Sequence, residues 1–213
     1  MTDNQFQLST QPGIQSKTQS QTITAPQTEL ILYPEFLCAS ESLAIQSQLS
    51  AEIHWRQDSI QVYGKTHQIP RLQSFQGEPG IRYQYSNLVL ETKLWHPLVL
   101  SLKTRIEQHC QHLFNSVLIN RYRNGQDKMG WHSDDEPELG TNPVIASLSF
   151  GTERRFILRH RWDKQRPKIE LNLGQGTLLL MAGQTQHYWQ HTVPSSRRVQ
   201  EERINLTFRY VYP

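Results

Sequence analysis

The second half of the chain consists of short apolar runs separated by glycine and proline. Runs of four to seven residues are too short for most helices and are typical of β-strands. Many closely spaced strands predict a β-sandwich or a jelly roll. The predicted strands are 117–122, 144–150, 155–158, 168–173, 177–181, 188–191 and 204–210.

Two helices and a hairpin are predicted before these strands. Ser40 is a suitable N-cap for a first helix, whose apolar residues follow at four-residue spacing. Pro97 is a good first-turn residue for a second helix. The segment 60–70 alternates around Gly64 and predicts a β-hairpin. The fold class predicted from these patterns is α+β.

The first 28 residues differ in composition from the rest. They contain seven glutamines among serine and threonine, and only Asp3 and Lys17 are charged. Such a segment buries too little apolar surface to offset the entropy lost on ordering. We therefore expect a disordered tail over 1–28 and a single folded domain over 29–213.

Composition narrows the protein class. Cys38 and Cys110 are too few for a disulfide framework or a thiolate zinc site, so a reducing, intracellular compartment is expected. No apolar run approaches the ~18 residues of a membrane-spanning helix, and no secretory signal is apparent. The net charge of +3 permits a nucleic-acid partner without requiring one. We expect a monomer without a membrane partner.

One short motif indicates a metal site. His132 and Asp134 lie two residues apart, so on an extended segment both side chains point to the same face. An imidazole and a carboxylate, completed by a distant histidine, form the facial triad that holds Fe(II). His187 and His191 are both candidates, and strand parity does not choose between them. The alternative is a solvated loop with a local Asp–His hydrogen bond.

A second motif indicates an anion site. Arg203 and Arg209 share one parity on a predicted strand whose other face is apolar. Two arginines are costly to bury without anions, and each guanidinium matches a carboxylate bidentately. Together with the candidate iron site, this pattern points to a dicarboxylic keto acid. The alternative is a pair of surface arginines on an edge strand.

These motifs in order resemble the AlkB family of Fe(II)- and 2-oxoglutarate-dependent dioxygenases. The resemblance rests on Asn-Arg-Tyr at 120–122, His-Ser-Asp-Asp-Glu at 132–136, His-Thr-Val-Pro at 191–194 and Arg-Ile-Asn-Leu-Thr-Phe-Arg at 203–209. It extends from about Leu30 to the end of the chain. Segments 62–65 and 144–151 look most like the animal DNA-repair branch.

The resemblance implies a double-stranded β-helix (jelly-roll) core with flanking N-terminal helices and a nucleotide-recognition hairpin. It also implies Fe(II), with 2-oxoglutarate and O₂ as cosubstrates. His191 is the better match for the distal ligand, because the family's histidine opens a turn that leads to a proline. The implied iron ligands are His132, Asp134 and His191. The implied 2-oxoglutarate residues are Asn120, Tyr122, Arg203, Thr207 and Arg209, with Arg203 on the carboxylate far from iron.

The implied activity is oxidative demethylation of N-alkylated bases in DNA, such as 1-methyladenine and 3-methylcytosine. Decarboxylation of 2-oxoglutarate to succinate accompanies it, and formaldehyde is released. A base must leave the duplex to reach such a site. The implied substrate-binding residues are Tyr63, Gly64, Lys65, Tyr83, Tyr85, Asp135 and Glu136. The alternatives for these residues are ordinary sheet tyrosines and a solvated acidic loop.

A basic segment supports a nucleic-acid partner. Residues 153–168 hold seven arginines and lysines against Glu153 and Asp163, a local charge of +5. This segment is a candidate for contact with phosphates, and the alternative is a solvated loop. One alternative is the same chemistry on RNA. Another alternative is a non-catalytic nucleic-acid-binding module. With DNA as substrate, we expect the cytoplasm of a bacterium or the nucleus of a eukaryote.

Overall fold

The computed structural model describes residues 19–62, 65–85 and 88–212, with the backbone alone at 60, 62, 65, 82–85 and 88–91. The helices are α1 (Ala39–Glu52), α2 (Pro97–Cys110) and α3 (Thr185–Tyr188), with a 3-10 turn at Pro137–Leu139. The strands are β1 (Gln21–Ile23), β2 (Glu29–Tyr33), β3 (Ser59–Val62), β4 (Lys65–Gln68), β5 (Leu72–Gly77), β6 (Arg82–Tyr85), β7 (Leu88–Glu91), β8 (Ser116–Tyr122), β9 (Met129–His132), β10 (Ile145–Gly151), β11 (Arg154–His160), β12 (Ile169–Leu173), β13 (Thr177–Ala182), β14 (Trp189–Val193) and β15 (Arg203–Arg209).

Two antiparallel sheets form the jelly-roll core. The major sheet has seven strands in the order β1-β2-β13-β10-β15-β8-β5. The minor sheet has four strands in the order β12-β11-β14-β9. Two separate hairpins, β3-β4 and β6-β7, lie outside these sheets. The predicted α+β class with a jelly-roll core is confirmed.

The major sheet is buried on both faces. On one face, Leu148, Leu206 and Phe208 pack in a cluster with α1 and α2. On the other face, Leu118 and Leu179 pack in a cluster that also holds side chains of the minor sheet. Successive side chains of a strand point to opposite faces of the sheet. In a central strand, the apolar residues at alternate positions therefore pack against the helices. The remaining positions face the space between the sheets.

Strand β15 shows this division most clearly. All seven of its residues are buried. Ile204, Leu206 and Phe208 belong to the helix-side cluster. The alternate residues, starting at Arg203, are polar and line a cavity between the sheets. The sequence of one strand thus supplies both a hydrophobic face and a polar site.

The predicted strands of the second half, the hairpin and the start of the second helix are confirmed. Three predictions are corrected. Gln21–Ile23 pairs with β2, and Pro26 O accepts a hydrogen bond from Trp189 Nε1 (3.2 Å), so the last part of the expected tail has defined structure. The N-cap of α1 is Cys38 rather than Ser40. Residues 185–188 form one helical turn, so His187 is not on a strand.

No helix in the described part of the chain is both long enough and apolar enough to cross a membrane.

Candidate active site

Adjacent strands of the minor sheet bring two histidines together. His132 on β9 lies directly opposite His191 on β14, and their ring centroids are 4.2 Å apart. Asp134 follows just beyond the end of β9. One ligand atom from each of the three side chains lies within 4.8 Å of the others. This spacing and donor set fit a divalent iron held by two imidazoles and one carboxylate.

Asp134 is fixed on two sides. Its carboxylate Oδ1 accepts a hydrogen bond from Arg209 Nη2 (2.7 Å), and its backbone N–H donates to Gln186 Oε1 (2.9 Å). The other carboxylate oxygen, Oδ2, is buried and has no hydrogen-bond partner among the described residues. A buried carboxylate oxygen without a partner is costly, and a metal ion would satisfy it. Asp134 therefore fits the role of a metal ligand.

The protonation states suit metal binding. Burial alone would raise the pKa of Asp134, but Arg209 and then the two histidines hold that pKa at about 2. Burial, followed by the charge of His132, lowers the pKa of His191 to about 3. Burial also lowers the pKa of His132. At neutral pH the cluster therefore offers an ionised carboxylate and two neutral imidazoles, the forms in which these groups bind metals.

A buried arginine defines the second half of the site. Arg203 is 1% exposed, and its Nη2 donates to Ser149 Oγ (2.9 Å). Its Nε and Nη1 have no hydrogen-bond partner among the described residues. The guanidinium carbon lies 5.3 Å from the ring centroid of Tyr122, and burial lowers the pKa of Arg203 to about 10. Such a group is prepared for an incoming carboxylate.

Pairing between β8 and β15 positions the other predicted cosubstrate residues. Arg203 lies opposite Tyr122, and Asn205 lies opposite Asn120. Thr207 Oγ1 donates to Asn205 Oδ1 (3.1 Å). One cavity is lined by the metal-ligand candidates and by all five residues predicted to bind the keto acid. Its lining is Asn120, Tyr122, Met129, His132, Asp134, Ser147, Phe156, Met181, His191, Val193, Arg203, Asn205, Thr207 and Arg209.

His187 lies outside this cavity. Its side chain is exposed on α3, and its ring is 5.4 Å from that of Trp162. The group of potential metal ligands found in the described residues contains His191 and not His187. The parity shared by residues 187 and 191 has no structural meaning, because His187 lies in a helical turn and only His191 lies on β14.

The predicted substrate-binding residues are described only in part. Tyr63 and Gly64 lie outside the described residues, and the side chains of Lys65, Tyr83 and Tyr85 are not described. The structure places Lys65 on β4 and the two tyrosines on β6. Asp135 forms an ion pair with Arg161, and Glu136 precedes the 3-10 turn.

The basic segment is not uniform. Arg154 is 2% exposed, and its guanidinium donates to the backbone carbonyls of Asn124, Asp127 and Pro194. Its expected role in a phosphate-binding surface is therefore wrong. Arg155 is exposed and paired with Glu170. The residues beyond it remain candidates.

Several neighbours of the site have no recognisable motif. Gln186 holds the backbone of Asp134, and Phe156 stacks on His191 at 5.1 Å. Arg71 Nε donates to Asn120 Oδ1 (2.8 Å). Each residue reaches the site only through tertiary folding. Glutamine, phenylalanine and arginine are common residue types, so a single sequence gives no signal for them.

Comparisons with known proteins agree with this geometry. The family model described as the 2OG-Fe(II) oxygenase superfamily matches residues 29–209. Alpha-ketoglutarate-dependent dioxygenase alkB homolog 3 of Homo sapiens is 43% identical over 194 residues, covering 87% of this chain and 67% of the relative. DNA oxidative demethylase ALKBH2 of Mus musculus is 41% identical over 160 residues, covering 72% of this chain and 67% of the relative. The structure of OsALKBH1 aligns with TM-score 0.64 and 14% identity, covering 90% of this chain and all of that one (100%), which shows a shared fold.

Proposed function

The chain belongs to the 2OG-Fe(II) oxygenase superfamily, and on that basis we propose that it oxidatively demethylates N-alkylated bases in DNA. The substrates proposed are 1-methyladenine and 3-methylcytosine. The observation that carries the proposal is one cavity that joins a His-Asp-His cluster to a buried arginine, whose Nε and Nη1 have no hydrogen-bond partner among the described residues. Two relatives above 40% identity bear the names of a dioxygenase and a DNA oxidative demethylase.

In this proposal, His132, Asp134 and His191 hold Fe(II). Arg203 binds the carboxylate of 2-oxoglutarate far from iron, and Arg209 binds near the metal, where it already contacts Asp134. Asn120, Tyr122 and Thr207 complete the lining around the cosubstrate. With iron and 2-oxoglutarate bound, O₂ would be the oxidant: one oxygen atom would enter succinate as 2-oxoglutarate loses CO₂, and the other would hydroxylate the N-methyl group. The hydroxymethyl base then loses formaldehyde.

The protein's own contribution is positioning and exclusion of water. Asp134 and His191 are 1% and 4% exposed, so a bound metal is shielded on the protein side. The ion pair with Arg209 keeps Asp134 ionised and fixes one of its oxygens, which leaves the other for the metal. Low solvent access also strengthens the charge interactions that orient a dicarboxylate.

The substrate side of the proposal rests on the AlkB-like hairpin and on Asp135 and Glu136. We propose that Tyr63, Gly64 and Lys65 contact DNA where the base leaves it, and that Tyr83 and Tyr85 stack on the base. We also propose that the protein acts as a monomer. A DNA substrate would place the activity in a bacterial cytoplasm or a eukaryotic nucleus.

The test is product analysis on matched DNA and RNA oligonucleotides that each carry one 3-methylcytosine. Succinate and formaldehyde should form in equal amounts, faster on DNA. Loss of a residue that only supports a metal ligand typically costs about 10- to 100-fold in activity. His132→Ala removes a proposed ligand itself, so turnover should fall by more than this. The circular dichroism spectrum should stay unchanged. A strong preference for RNA would reject DNA as the proposed substrate in favour of RNA. Absence of succinate release on both would reject the catalytic proposal in favour of a binding module.

A further inference from the structure

An exposed aromatic cluster lies outside the cavity and has no role in the proposed chemistry. Trp162 is 57% exposed. Its ring lies 5.4 Å from the rings of both His187 and Tyr188, in edge-to-face arrangements. His187 is itself exposed on α3. A large aromatic ring left in water, beside a second exposed ring, is a typical ligand-contact surface.

Arg161 connects this cluster to the active site. Its guanidinium carbon lies 5.3 Å from the centroid of the Trp162 ring. Its Nη1 donates to the carboxylate of Asp135 and to His187 O (3.3 Å). Asp135 directly follows Asp134, the candidate iron ligand. Arg161 therefore links the aromatic cluster to the loop that carries Asp134.

A basic groove runs beside the cluster. Among its lining residues, all in the described part of the chain, Asp163 is the single acidic side chain, and it pairs with Arg166 (3.4 Å). No described carboxylate lies within ion-pair distance of Lys164 or Lys168. The groove is lined by Arg159, His160, Arg161, Asp163, Lys164, Arg166 and Lys168.

A second arginine–tryptophan pair extends the same surface. Arg159 and Arg161 lie two residues apart at the end of β11. The guanidinium carbon of Arg159 lies 4.2 Å from the centroid of the Trp131 ring, and Lys168 Nζ lies 6.0 Å from it. The guanidinium of Arg159 donates to the neutral Gln190 Oε1 from Nε (3.2 Å) and Nη2 (2.9 Å), so the charge of the two cations around this indole still favours an anion here. Alternating aromatic and basic groups are the pattern of single-stranded nucleic-acid binding.

We propose that Trp162 and His187 form a stacking surface for a nucleotide next to the target base, and that Lys164 and Lys168 contact its phosphates. The inference rests on the proposed function and adds a second contact region to it. Binding a neighbouring nucleotide would hold the strand while the target base enters the cavity. His187, set apart from the metal cluster, acquires a role through its exposed ring.

The test compares a trinucleotide with a single strand of about 15 nucleotides, each carrying one 3-methylcytosine. In the wild type, the longer strand should have the lower KM. Trp162→Ala should raise the KM for the longer strand at least about fivefold and bring the two KM values together. Trp162→Phe should restore most of the difference, because the ring face is retained. Leu113→Ala removes another exposed apolar side chain (67% exposed) and should change neither KM.

A second variant separates stacking from metal binding. His187→Ala should raise the KM for the longer strand but retain the wild-type affinity for Co(II), measured by its absorption spectrum. His191→Ala should lose Co(II) binding. An unchanged KM for the longer strand in both Trp162→Ala and His187→Ala would reject the surface, as would an equal rise for both lengths. Lack of turnover by the wild type on either strand would instead reject the proposed function.

Discussion

Arginines occupy two contrasting regions of this protein. Arg203 and Arg209 on β15 are 1% and 4% exposed and line the cavity between the sheets. Arg155 and Arg161 on and just after β11 reach solvent and pair with carboxylates of the chain. The residue type is the same, but the buried guanidinium of Arg203 has two nitrogens without a described hydrogen-bond partner and favours an incoming anion, whereas an exposed guanidinium is solvated and screened. We therefore expect the first region to select the cosubstrate and the second to add affinity for the nucleic acid.

The largest expected effect comes from removing the buried group. Arg203→Met keeps much of the side-chain volume and deletes the open N–H groups, so the KM for 2-oxoglutarate should rise about 30- to 1000-fold. Succinate formation over a 2-oxoglutarate titration measures it. The matched change on the exposed region, Arg155→Met, should leave that KM unchanged.

The same pair of variants tests whether Arg203 contributes to cosubstrate binding or to the stability of the fold. A buried charge without a ligand is costly, so Arg203→Met should not lower the free energy of unfolding of the ligand-free protein. Urea denaturation measures this quantity. A loss of several kcal/mol with an unchanged KM would show that Arg203 is structural and would break the comparison.

Arg154 should differ from both groups of arginines, because it is buried and its N–H groups are already hydrogen-bonded. It is buried like Arg203, but its N–H groups already donate to three backbone carbonyls. Arg154→Met would leave those carbonyls without their donor, so the free energy of unfolding should fall by about 3 kcal/mol. Arg155→Met should cost under about 0.5 kcal/mol. Equal stability losses in urea denaturation would contradict the burial difference between these neighbours.

The polar face of β15 could be predicted because strand parity follows directly from the sequence. Parity assigns Arg203, Asn205, Thr207 and Arg209 to one face, and the apolar residues between them indicate burial. The same rule predicts that His132 and Asp134 cooperate. Residue spacing was sufficient for β15 because the whole pattern lies within one extended strand. Asp134 shares the site with His132 as predicted, although β9 ends at His132.

The partner of His132 could not be fixed in this way. Its position opposite His191 depends on the register between β9 and β14, which shifts between His191 and Val193. Strand β9 is four residues long and contains Gly130, which weakens its sequence signal. The burial of Arg154 and the exposure of Arg155 likewise depend on which face of β11 points into the protein. Register and facing are properties of the assembled sheets, so single-sequence patterns do not determine them.

The smallest expected effect belongs to the exposed region. Lys168→Ala removes one cation from the basic groove without breaking any described ion pair. Because one fewer phosphate would be neutralised, the salt slope of single-stranded DNA binding, log Kd against log salt concentration, should become shallower by about 0.7. Fluorescence anisotropy at several salt concentrations measures that slope.

Lys103→Ala is the matched control, since Lys103 pairs with Glu107 on α2 and should leave the slope unchanged. The KM for 2-oxoglutarate should stay the same in both lysine variants. If Lys168→Ala changed that KM while the slope stayed constant, the groove and the cavity would not be separate regions. A change in the slope alone would support a contribution of Lys168 to strand affinity that is separate from the cosubstrate cavity.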